Sequence, residues 1–123
     1  MSLQWTIDPE ERLVTAVADG DVTRRDVEKL LDEVEAAGAT TYRRLFDGSR
    51  GDTSISLDDL MALGVRFRAI HAQGPMGPLA IVVSPDKVPL IEPVLGMLAI
   101  ADRPMRLFHE LKPARRWISK QVD

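Results

Sequence analysis

Leu3, Trp5 and Ile7 alternate with Gln4 and Thr6, the period of two expected of a strand with one buried face. Asp8-Pro9-Glu10-Glu11 then reads as a turn, because proline pre-sets its backbone angle and aspartate can bond its own main chain. A second strand over 13–18 completes an antiparallel hairpin, which Asp19-Gly20-Asp21 is expected to break. From Thr23 the period changes. Val27, Leu30, Leu31 and Val34 recur at i, i+3, i+4 and i+7, with Glu28, Lys29, Asp32, Glu33 and Glu35 opposite, which predicts an amphipathic helix. Thr23 with Asp26 forms a capping box, Val22 with Val27 a staple, and Gly38 supplies the left-handed stop.

The same signals recur further on. Residues 42–46 predict a third strand and 47–55 a loop. Ser56 caps a second helix with Asp59 as its box partner and Ile55 and Leu60 as its staple. Leu60, Leu63, Phe67 and Ile70 form the buried stripe of that helix, which runs to about Gln73 before Gly74-Pro75-Met76-Gly77-Pro78 ends it. Residues 79–83 are an uninterrupted apolar run between proline-bearing turns, as in a strand covered on both faces. A third helix follows, then a last strand over 105–108 and a closing helix with Pro113 in its first turn. The order ββαβαβαβα implies an α/β domain. Its mixed sheet of four or five strands opens with an antiparallel hairpin and continues in parallel, with four helices.

The third helix is unusual. Between residues 88 and 101 the only charge is Glu92. Val88, Ile91, Leu95 and Leu98 make one apolar stripe, and Leu90, Val94, Met97 and Ala101 make another, which a helix with a solvent face should not carry. Pro89, Pro93 and Gly96 weaken the helix and would let it start late, after an irregular 84–87 segment. The surface expected to meet a partner or ligand is therefore Leu90, Ile91, Val94, Leu95, Met97 and Leu98, joined by Met61 and Val65 on the second helix and by Met76 in the loop after it. Burial inside the domain, homodimerisation and an enclosed lipophilic ligand all account for such a helix. The absence of a lysine- and arginine-rich face argues against its lying on a bilayer.

Composition narrows the functional classes. A length of 123 residues fits one domain spanning 1–123, and 45% apolar residues suffice for a core without staples. With no cysteine, disulfides, thiolate metal sites and thiol catalysis are excluded, and a cytoplasmic location is expected. The chain starts without a signal-peptide pattern, and no apolar run reaches the roughly 20 residues of a transmembrane segment. A net charge of −3 with scattered basic residues disfavours nucleic acid as a partner.

The strand Leu79-Ala80-Ile81-Val82-Val83 and the ending Met105-Arg106-Leu107-Phe108-His109-Glu110-Leu111, running into Ala114-Arg115-Arg116-Trp117-Ile118, resemble the STAS fold in this element order. The resemblance covers nearly the whole chain, rests on pattern and not on a signature, and is closest to the SpoIIAA-like branch of anti-sigma-factor antagonists, often grouped with Sec14-type lipid-binding domains. It implies either an apolar ligand or a partner-switching regulator phosphorylated on a serine at the start of the second helix, the place of Ser56. Here Ser56 stands between Ile55 and Leu57-Asp58-Asp59, a departure from the Asp-Ser-Ser-Gly-like family context. Two carboxylates in that turn would repel a phosphate, and an N-cap role accounts for the serine on its own.

Catalysis has little support. His71 and His109 have no motif neighbours, and Gly48-Ser49-Arg50-Gly51 lacks the end of a phosphate loop. Asp47, Asp52, Asp58 and Asp59 could serve a small enzyme or hold magnesium at a metal-dependent site in the 47–59 loop, but capping and turn formation explain them with less. The expectation is a non-catalytic binding or regulatory module, with no cofactor or metal, acting through a protein partner, a homodimer or a lipophilic small molecule.

Overall fold

Residues 2–99 and 101–122 are described in the computed structural model. Met1, Asp123 and Ile100, the last within the expected third helix, lie outside the described residues. The elements are β1 (Leu3–Asp8), β2 (Leu13–Asp21), α1 (Arg24–Ala36), β3 (Arg43–Asp52), α2 (Leu57–Gln73), β4 (Leu79–Val82), a 3-10 turn (Pro85–Lys87), α3 (Val88–Leu98), β5 (Met105–Phe108) and α4 (Leu111–Ser119).

Local chemistry accounts for most of these boundaries. Asp8 Oδ1 accepts the main-chain N–H groups of Glu10 at 3.0 Å and Glu11 at 3.1 Å, closing the hairpin turn. Thr23 and Asp26 make both halves of their capping box, and Gly38 takes a φ of 67° just past α1. At α2 only half of the expected box forms. Ser56 accepts from the Asp59 N–H at 3.1 Å, while the Asp59 carboxylate turns to Arg24 at 3.3 Å and ties α1 to α2. Arg66 adds a second tie, with one terminal nitrogen 2.6 Å from Asp32 and 2.9 Å from Glu35.

The strands lie in the order β1-β2-β3-β4-β5, with β1 antiparallel to β2 and the remaining neighbours parallel. Two strands outrun their expected ends. Asp19-Gly20-Asp21 does not break β2, and 47–52 is not a loop: after a register shift beyond Val17, Asp19 pairs with Arg50, Gly20 with Gly51 and Asp21 with Asp52. Neither segment has strand-forming side chains, and the ladder depends on main-chain bonds between them. Gly51 permits the approach, since a β-carbon there would stand 2.7 Å from that of Ala18.

Helix α4 covers one face of the sheet, placing Ala114 and Ile118 against Leu45, Ala80 and Val82. The other face carries α1 over β1 and β2 and α3 over β4 and β5. Helix α2 spans the gap between them, packing Leu60, Leu63 and Phe67 against Leu31 of α1 and Met97 of α3. On this side the apolar interior is divided among separate clusters and not gathered into one. All four residues of β4 are buried, as its uninterrupted apolar run implies.

Candidate functional site

Helix α3 begins directly after the 3-10 turn, with Pro89 in its first turn and Pro93 inside it. A proline has no N–H, so Pro93 leaves the carbonyl of Pro89 without its usual helical donor. Despite its apolar composition the helix is not enclosed. Pro89, Glu92, Pro93 and Gly96 face outward, Leu90 is 44% exposed, and only Met97 is fully buried.

Beneath α3 lies a cavity of about 160 Å³, bounded by the sheet and by α1 and α2. Leu90, Ile91, Val94, Leu95, Met97 and Leu98 all line it, so both apolar stripes of α3 border the same void. From the sheet, Phe46, Leu79, Ile81 and Val83 form the opposite wall. A cavity of about 150 Å³ with such walls stays dry and accepts a benzene-sized apolar molecule.

The other expected surface residues divide. Met61 and Val65 are 64% and 67% exposed on the outer side of α2, in line with Leu57 at 71%, and they do not reach the cavity. Met76 is not a surface residue. The loop after α2 folds inward, its Met76 N–H donates to His71 Nδ1 at 3.2 Å, and the side chain, 3% exposed, joins the core with Phe67 and Met97.

Ser56 is exposed, and its hydroxyl is engaged as the cap of α2. Ser56→Ala should cost about 1 kcal/mol in a chemical unfolding titration. A loss above about 2 kcal/mol would show that the hydroxyl does more than cap. Three of the four aspartates of the metal alternative are individually engaged. Asp47 accepts from the Ser49 N–H and hydroxyl, Asp52 from the Thr53 N–H, and Asp59 from Arg24. Among the described residues no three acidic, histidine or cysteine side chains are grouped to hold a metal. His109 Nδ1 lies 3.1 Å from the Val83 carbonyl.

Two arginines in the cavity wall escaped the sequence reading. Arg44, on β3, is 9% exposed, and Arg103 precedes β5. Each gives one terminal nitrogen to a backbone carbonyl, Arg44 to Thr40 at 2.9 Å and Arg103 to Gly77 at 3.2 Å. The Gly77 N–H in turn donates to the Thr40 carbonyl at 3.1 Å, so the two side chains are hung from one bridge between loops. Both Nε atoms are buried without a partner, and among the described residues neither guanidinium is in an ion pair. Burial pushes Arg44 down to about 10, and burial together with the positive charge of Arg44 pushes Arg103 down to about 9. The alternation of Tyr42, just before β3, with Arg44 and Phe46 on it was the available signal, because it places a charge on the core side of an interior strand.

No protein-family model and no curated protein matches the chain. Among solved structures, it is similar to an uncharacterised protein of the DUF3478 family with a SpoIIAA-like fold from Shewanella loihica PV-4. The match has 19% identity and a TM-score of 0.64, over 95% of this chain and 94% of that one. The chain thus has the SpoIIAA-like, STAS-type fold. Among the described residues no helix is long and apolar enough to cross a membrane.

Proposed function

We propose that this protein is a non-catalytic binding module that encloses a small lipophilic molecule between α3 and the sheet. The observation that carries the reading is the cavity itself: six apolar side chains of α3 line a void large enough for a benzene-sized body. A helix whose second stripe were only surplus core would leave no space beneath it. The SpoIIAA-like fold is compatible with such a module and names no ligand.

Native mass spectrometry of the purified protein, paired with a benzene titration followed by amide NMR shifts, tests the reading. The expected result is a retained small-molecule adduct or benzene-induced shifts concentrated on α3, β3 and β4. Absence of both overturns it.

A second reading has its own support in the exposed row Leu57, Met61 and Val65 on α2, a small apolar patch suited to a protein partner or a second copy. Sedimentation of the wild type and of Met61→Glu/Val65→Glu separates the two. A dimer dispersed by the charges favours this reading, and a monomer in both cases rules out self-association through the patch.

A further inference from the structure

The arginine pair narrows the ligand. A buried guanidinium normally meets a carboxylate, because an isolated charge in an apolar setting is costly and is otherwise neutralised or paired. Arg44 and Arg103 share the wall of a cavity whose other lining is mainly apolar, apart from Asp52, Thr53 and Lys87. Among the described residues neither arginine is in an ion pair, although Glu35 acts on Arg44 electrostatically without pairing with it. Their contacts with Thr40 and Gly77 hold both groups in place, while the two Nε–H donors are left without acceptors. Arg103 is steadied further by the ring of Phe67, 6.0 Å away. The vacancy is thus a hydrocarbon-sized void with two fixed guanidinium groups in one part of its wall.

We propose that the cavity binds an apolar carboxylate, its head group accepting from Arg44 and Arg103 and its hydrocarbon body lying under Ile91, Val94 and Leu95. A carboxylate suits the donors because its two oxygens can accept from both planar guanidinium groups at once, and one negative charge relieves the repulsion between them. The inference rests on the lipophilic-cavity reading above and adds the charge of the ligand to it.

Octanoate and 1-octanol differ chiefly in that charge, and titrating each into the wild-type protein under NMR observation tests the idea without any variant. Octanoate should bind at least about tenfold more tightly than octanol, the ratio expected when a charged group gains hydrogen bonds to a buried partner. Its shifts should include residues 40, 44, 77 and 103. Arg103→Met, which keeps the length of a half-buried side chain, should weaken octanoate by about tenfold or more and leave octanol unchanged. Equal binding of both probes to the wild type, or wild-type octanoate affinity in Arg103→Met, overturns the carboxylate site while the lipophilic cavity stands. If neither probe shifts the cavity residues, the binding-module reading fails and this inference with it.

Discussion

Gly77→Ala is expected to lose about 3 kcal/mol of stability or more, read as a lowered urea midpoint. The cause is contact and not backbone angle, since Gly77 does not have a positive φ. A β-carbon there would overlap the carbonyl of Tyr42 and stand 2.6 Å from that of Thr41, and both are main-chain atoms that no rotamer change can clear. Relief requires the loop before β4 to separate from the loop before β3. Separation breaks the bond from the Gly77 N–H to Thr40 and displaces the carbonyl that receives Arg103. A domain with only about 5–15 kcal/mol in hand would lose a large fraction of it. An unchanged midpoint would mean that the two loops do not meet as described.

Arg44→Met should act in the opposite direction, raising the stability of the ligand-free protein by about 1–3 kcal/mol. An arginine does not release its proton in a protein, so the displacement of Arg44 toward about 10 expresses the cost of keeping the charge indoors, equivalent to about 3 kcal/mol. Methionine fills similar space without that cost. Nor does the change orphan Thr40, whose carbonyl keeps the Gly77 N–H at 3.1 Å. The lost arginine hydrogen bond offsets part of the gain. Thermal or urea unfolding of both proteins checks the sign, and saturating octanoate should narrow the difference by stabilising the wild type more than the variant. A variant less stable than the wild type in ligand-free form would mean that the guanidinium is a structural strut, retained for the fold alone.

Most elements of the fold can be read directly from residue pattern, because the signals are local. The capping threonine and serine, the stripe from Leu60 to Ile70 and the uninterrupted run through β4 each report their own surroundings. The far halves of β2 and β3 were illegible for the converse reason. Asp19-Gly20-Asp21 and 48–52 carry turn-forming residues, and only the presence of the other strand makes them extended. The candidate surface divides in the structure. Six of the expected residues are on α3 and border the void, both apolar stripes turning toward it. Met61 and Val65 share the composition but point away, and Met76 is drawn inward by a loop contact that no periodicity encodes. Arg44 and Arg103 come together only through the crossover that sets β3 beside β4, so their conjunction is a property of topology.

The interior proline of α3 bears on how fast anything could enter or leave. Proline within a helix costs about 3 kcal/mol and glycine about 1 kcal/mol relative to alanine, and Pro93 and Gly96 sit within one turn of each other. The wall nearest solvent is accordingly the segment least able to hold itself together, whereas β3 and β4 on the opposite side are bonded on both edges. Its fraying uncovers the void without disturbing the sheet, so association and release would be timed by local opening, and substitutions that change global stability elsewhere would leave those rates nearly untouched.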